Sequence, residues 1–98
     1  MSALHHDEIA KRLAAMPGWH HRGNALEKHF ACGDFDGSMR FVNAIAEAAN
    51  AQDHHPDMTI SWDDVAIVLS SHDVGGITSR DFRLAAAIDE ISRESAHA

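Results

Sequence analysis

The stretch from Met58 to Ser71 constrains the fold more tightly than any other part of this 98-residue chain. Apolar residues alternate with polar ones from Met58 to Trp62, and this two-residue period is typical of a half-buried β-strand. Asp63-Asp64 predicts a turn, and the apolar run that opens 65–71 predicts a second, more buried strand. Paired as an antiparallel hairpin, the two strands would bring their outer ends together.

Amphipathic helices are predicted before this hairpin. Ile9, Leu13 and Met16 share one face of a first helix, which a Pro-Gly pair ends. Asp34 has a side chain suited to a helix N-cap, and it precedes a second helical pattern that ends near Ala51. The apolar face of this second helix consists of Phe35, Met39, Val42, Ile45 and Ala49.

A second hairpin and a third helix complete the pattern. Gly23-Asn24 lies between two short runs and predicts a two-residue hairpin turn. Thr78 opens the last helix with capping-box spacing to Asp81, and the inward residues of that helix are Leu84, Ile88 and Ile91. The order helix-strand-strand-helix-strand-strand-helix predicts a single α+β domain over 1–98, with a four-stranded antiparallel sheet and helices packed on one face.

Composition excludes several classes of function. The chain has 15 acidic residues against 8 Lys and Arg, a formal charge of −7, and a nucleic-acid binder would need a basic face. The longest apolar run, 65–69, is far shorter than the ~20 residues of a membrane span. Residues 1–8 lack the basic and apolar segments of a secretory signal, so we expect a cytoplasmic protein without membrane contact. Cys32 is the only cysteine, which excludes an internal disulfide and a cysteine-based zinc site.

Histidine is unusually frequent, with 9 residues in the chain. The predicted hairpin would bring three of them together, because His54 and His55 precede its first strand and His72 follows its second. Pro56 would fix the backbone directly after the pair. Imidazoles gathered at one end of a sheet can donate and accept protons near neutral pH without a metal or a cofactor. We assign no function to the other six histidines.

Over about 4–91 the chain resembles the pterin-4a-carbinolamine dehydratase family. The resemblance rests on His54-His55-Pro56, Trp62, His72 and Asp81, which keep the order and spacing of the family's signature. The segments 17–19, 30–35 and 70–81 are also similar to the family. Asn50 departs from it, because the family usually has a charged residue there, and an amide can form hydrogen bonds but supplies no charge.

The resemblance implies an activity and a substrate. Members of the family remove water from 4a-hydroxytetrahydropterin, which aromatic amino-acid hydroxylases release, and produce quinonoid dihydropterin for recycling. The pterin is then the substrate, and neither a cofactor nor a metal is expected. The resemblance also implies self-association as a homodimer or homotetramer.

Roles for individual residues follow from the same resemblance. His54 and His72 would form the acid–base pair, and which of them is the acid stays open. His55 and Pro56 would bind and orient the pterin ring, and Asp81 would orient or charge-tune a histidine. The other wall of the site would be formed by Ser71, His72, Asp73 and Val74.

Ordinary structural interpretations of these residues stay open beside the catalytic ones. His54-His55 is also compatible with a solvated loop, and His72 with a polar residue that ends a strand. The position of Asp81 is explained by the capping box alone, and the two roles do not exclude each other. Trp19 and Trp62 are interpreted as packing residues rather than ligand-stacking residues.

Two other functions compete with the dehydratase. A metal could bind the three imidazoles, with Asp53 or Asp73 completing the shell. Against it, adjacent histidines on an extended chain face opposite sides, so His54 and His55 would not both reach one ion. The second alternative is a non-enzymatic pterin-binding, dimerisation or regulatory module of the same fold, in which the motif histidines would have no chemical purpose.

Overall fold

The structure is a computed structural model that describes residues 2–96. Three helices pack with four strands, and the order along the chain confirms the predicted α+β fold. The elements are α1 (His6–Leu13), β1 (His20–Arg22), β2 (Ala25–Ala31), α2 (Phe35–Gln52), β3 (Asp57–Ser61), β4 (Asp64–Leu69) and α3 (Ser79–Ala96), with a single 3₁₀ turn over His72–Val74.

The four strands form one antiparallel sheet in the order β1-β2-β4-β3. The central pair, β2 and β4, aligns Leu26 with Leu69, and both side chains are fully buried. Helices α2 and α3 cover this face of the sheet with Ile45, Leu84 and Ile88, each of them 0% exposed. The core therefore lies between the sheet and these helices, as the alternating strand pattern requires.

The two hairpin turns differ in how well the sequence predicted them. Arg22 pairs with Ala25, which confirms the Gly23-Asn24 turn. Ser61 pairs with Asp64, so the second turn is Trp62-Asp63, and the prediction of Asp63-Asp64 was wrong by one residue.

This shift changes the environment of Trp62. Its φ of 51° places it in the left-handed region. Trp62 lies in the turn, beyond the last paired residues of the hairpin, and it is 64% exposed. Its interpretation as a packing residue was therefore wrong. Trp19, by contrast, is 4% exposed and packs in the core as expected.

Helix α2 begins with the predicted cap, and its buried face agrees in part with the predicted one. Asp34 Oδ1 accepts a hydrogen bond of 2.7 Å from the Gly37 N–H, which satisfies one of the unpaired donors of the first turn. Phe35, predicted on the apolar face, is 49% exposed. Ile45 and Ala49 are buried as predicted, and Val42 packs partly buried against the core. The other buried residues of the helix, Ser38 and Phe41, were not predicted. The residues of α2 that are buried depend on how the helix docks on the sheet. The hydrophobic pattern alone does not specify that docking.

The predicted ends of the elements differ from the observed ones by a few residues. Helix α1 ends at Leu13, before the Pro-Gly pair, and β4 ends at Leu69 rather than Ser71. Beyond β4, Ser71 instead forms an isolated antiparallel bridge with Gly76. Among residues 2–96, no helix combines the length and apolar character that crossing a bilayer requires.

Candidate active site

Asp81 is the best-anchored polar side chain near the end of the β3–β4 hairpin. It lies in the first turn of α3 and is 0% exposed. Its Oδ2 accepts the Thr78 N–H at 2.9 Å, which confirms the capping box, and also the Ser71 hydroxyl at 2.9 Å. Its Oδ1 lies 2.6 Å from His54 Nε2. These three partners replace the water that a buried carboxylate loses.

His54 reaches Asp81 because α2 ends in a left-handed cap. Asp53 has φ 50° and ψ 44°, and this turn redirects the chain so that the His54 N–H donates to the Ala49 carbonyl at 3.1 Å. The imidazole is only 8% exposed. An ionised carboxylate can only accept, so Nε2 of His54 carries the hydrogen that it donates to Asp81. In the neutral ring, Nδ1 then holds the lone pair that can take up a proton.

His55 lies on the other side of the backbone. It is exposed where His54 is buried, as expected for adjacent residues of an extended segment. Its Nε2 lies 2.9 Å from Asn50 Oδ1, in the last turn of α2. Asn50, which stands where the resemblance implies a charged residue, thus contacts a motif histidine directly through its amide.

His72 lies in the short loop that joins β4 to α3. Its imidazole is exposed, and Nε2 lies 3.3 Å from Ser70 Oγ. Asp73 Oδ1 accepts from Arg80 Nη2 at 2.7 Å, and this guanidinium holds the pKa of the Asp73 carboxyl below its usual range. The Ser71 N–H donates to the Gly76 carbonyl at 2.8 Å, which closes the loop on itself.

The hairpin brings the two parts of the motif to one end of the sheet. Asp57 pairs with Val68, so the start of β3 and the end of β4 meet there. Asp81 joins His54 to the loop after β4, because it binds both His54 and Ser71. The other two histidines have different partners, Asn50 for His55 and Ser70 for His72. Pro56 and Val74, the remaining predicted site residues, are half-buried and flank these histidines in the chain.

Sequence reasoning missed how Asp81 is held. The capping-box spacing indicated the Thr78 contact, but nothing local indicated that the Ser71 hydroxyl also donates to this carboxylate. Within residues 2–96, no group of three or more His, Cys, Asp or Glu side chains is arranged to hold a metal ion.

Comparison with known proteins agrees with the motif. Residues 2–91 match the family described as "Pterin 4 alpha carbinolamine dehydratase". The chain belongs to this family. It is 45% identical over 85 residues to a protein of Thermosynechococcus vestitus, a match that covers 87% of this chain and 90% of the relative. It is 47% identical over 92 residues to a protein of Roseiflexus castenholzii, covering 93% and 99%. Both relatives carry the name "Putative pterin-4-alpha-carbinolamine dehydratase".

Two solved structures of similar fold extend the comparison. The crystal structure of a transcriptional coactivator/pterin dehydratase from Brucella melitensis superposes with a TM-score of 0.89 at 27% identity, covering 93% of this chain and 99% of that one. A pterin dehydratase-like protein described as a RuBisCO assembly factor superposes with a TM-score of 0.63 at 21% identity, covering 76% and 86%. The second likeness shows the dehydratase fold alone.

Proposed function

We propose that this chain catalyses the loss of water from 4a-hydroxytetrahydropterin, which yields quinonoid dihydropterin and serves pterin recycling after aromatic amino-acid hydroxylation. Membership of the dehydratase family supports the substrate class. The observation that carries the chemistry is the buried pair of His54 and Asp81, joined by a hydrogen bond of 2.6 Å. A carboxylate that holds one imidazole nitrogen leaves the other to exchange protons.

The reaction requires one proton to be added and one to be removed. The C4a hydroxyl leaves as water once it is protonated, while a ring nitrogen of the pterin loses a proton, so the net products are quinonoid dihydropterin and water. In our proposal His54 and His72 perform these two transfers in the metal-free site. Asp81 holds the imidazole of His54 at Nε2 through the contact of 2.6 Å, so His54 would exchange its proton at Nδ1.

The remaining residues of the site bind the ring. His55 and Pro56 would contact the pterin on the side of β3, and His72, Asp73 and Val74 on the side of the loop after β4. Ser71 would act through Asp81, because it is 1% exposed and its hydroxyl donates to that carboxylate.

The test is an assay in which the 4a-carbinolamine is generated in situ and quinonoid dihydropterin is followed by its absorbance. We expect acceleration over the spontaneous reaction, and a loss of about 10²-fold in kcat for His54→Ala and for His72→Ala. His20→Ala is the matched control, because this exposed histidine lies on β1 outside the motif. A wild-type rate equal to the spontaneous rate would refute the proposal.

A non-enzymatic module is the alternative that this assay separates. The dehydratase-like fold also occurs in the protein described as a RuBisCO assembly factor. Pterin binding measured by calorimetry without any acceleration would favour such a module for this chain. We further propose a homodimer or homotetramer, which light scattering after gel filtration would test; a single species of monomer mass would contradict it.

A further inference from the structure

The hydroxyls of Ser71 and Thr78 form a short chain that ends on Asp81. Ser71 Oγ lies 2.9 Å from Asp81 Oδ2 and 2.8 Å from Thr78 Oγ1. Both hydroxyl-bearing residues are 1% exposed, so bulk solvent does not reach them. Each of these groups must therefore find its hydrogen bonds inside the protein.

The directions of these hydrogen bonds are fixed by counting hydrogens. The Asp81 carboxylate only accepts, so Ser71 uses its single hydroxyl hydrogen on Asp81. Ser71 can then only accept from Thr78, whose hydroxyl must be the donor. Thr78 Oγ1 in turn accepts from the backbone N–H and the Nε–H of Arg80, at 3.2 and 3.3 Å. Every hydrogen in the chain points toward the carboxylate.

This arrangement fixes the rotation of the carboxylate. Oδ2 is held by two donors, the Ser71 hydroxyl and the Thr78 N–H. Turning the carboxylate away from His54 would break both of them in a place that water does not reach. Oδ1 is consequently kept in line with His54 Nε2.

We propose that Ser71 and Thr78 are positioning residues that act on His54 through Asp81. Their hydroxyl chain keeps the carboxylate in line with His54 Nε2, and the carboxylate in turn keeps the hydrogen of the imidazole on Nε2. In this proposal the two hydroxyls act on the imidazole and not on the substrate, because both residues are 1% exposed. The kinetic consequence rests on the proposed dehydratase function, whereas the tautomer is a property of the protein without substrate.

The experiment compares three variants with one control. Ser71→Ala removes the direct donor to Asp81, Thr78→Val removes the hydroxyl behind it, and Thr78→Ser keeps that hydroxyl. Ser79→Ala is the control, because this exposed residue is the first of α3, next to Thr78 in the chain. ¹⁵N NMR of the imidazoles reports the tautomer of His54, and the dehydration assay reports kcat and KM separately.

We expect a graded result. Ser71→Ala should lower kcat by roughly tenfold with KM little changed, and should give His54 a mixture of tautomers. Thr78→Val should have a smaller effect of the same kind, and Thr78→Ser and Ser79→Ala should behave as the wild type. Thermal unfolding checks that each variant is folded.

The outcomes separate this inference from the proposed function. Wild-type protein without activity refutes the function, and the NMR comparison then still decides the positioning role. An unchanged tautomer and unchanged kcat in folded Ser71→Ala overturn the inference. If Ser71→Ala does not fold, the pair at position 78 decides it, because equal losses in Thr78→Val and Thr78→Ser would show that the hydroxyl is not what acts. If Thr78→Val does not fold, Ser71→Ala decides alone.

Discussion

Replacing Asp81 with Asn tests the role of this carboxylate with almost no change in shape. The carboxylate accepts from Thr78, Ser71 and His54, but an amide has only one oxygen and adds two N–H donors. The Thr78 N–H is part of the backbone and cannot turn away. The amide oxygen must therefore occupy the Oδ2 position, and the NH₂ group must face His54. His54 Nε2 then has to accept, so its hydrogen moves to Nδ1.

The size of the effect follows from these three contacts. A hydrogen bond to a charged acceptor contributes about 1.5–3 kcal/mol, and one between neutral groups about 0.5–1.5 kcal/mol. Three weakened bonds amount to a loss of about 3 kcal/mol. The neutral amide also avoids the cost of burying a full charge, and this gain offsets part of the loss. We expect the free energy of unfolding to fall by about 1–3 kcal/mol. The reversed tautomer should remove most of the acid–base contribution, a loss of about 10²-fold in kcat.

Three measurements check this reasoning in Asp81→Asn. Urea unfolding gives the stability change, the dehydration assay gives kcat, and ¹⁵N NMR gives the tautomer of His54. Asp36→Asn is the control, because Asp36 is an exposed residue in the first turn of α2. If Asp81→Asn keeps both the hydrogen on Nε2 and the wild-type kcat, the carboxylate does not orient the histidine and the argument is wrong.

Three further predictions concern parts of the fold outside the His54–Asp81 pair. Gly37→Ala should lower the thermal midpoint although Ala favours helices, because a Cβ there would lie 2.2 Å from the Cys32 carbonyl oxygen; an unchanged or raised midpoint would contradict this. Asp89→Ala removes the acceptor of the buried Trp19 indole N–H and should cost about 1–3 kcal/mol in urea unfolding, with kcat retained; a cost near zero would show that the indole finds another partner. Asp73→Asn should be less stable than the wild type at pH 7, because the lowered pKa of Asp73 stabilises the fold only while the carboxyl is ionised. This difference in stability should close as the pH falls below the usual range of an aspartate pKa. A difference that widens in acid would contradict the prediction.

The order of the elements and the residues that begin and end them follow from local signals in the sequence. The caps at Asp34 and Thr78 and the turn at Gly23-Asn24 were all predictable, because each depends on residues a few positions apart. The alternating apolar residues of the strands likewise predicted which face of the sheet is buried. Signals of this kind are local, so they can be recognised without knowledge of how the elements pack.

Which side chains meet and which remain exposed depends on how the elements pack together. His54 and Asp81 are 27 positions apart, and they touch because the left-handed cap at Asp53 turns the chain while α3 docks beside the end of the hairpin. A one-residue difference in the β3–β4 turn moved Trp62 from the predicted strand into solvent. The spacing in the sequence identified the motif residues. The direction of each side chain depends in addition on backbone angles and on how the elements dock, and docking involves residues far apart in the sequence.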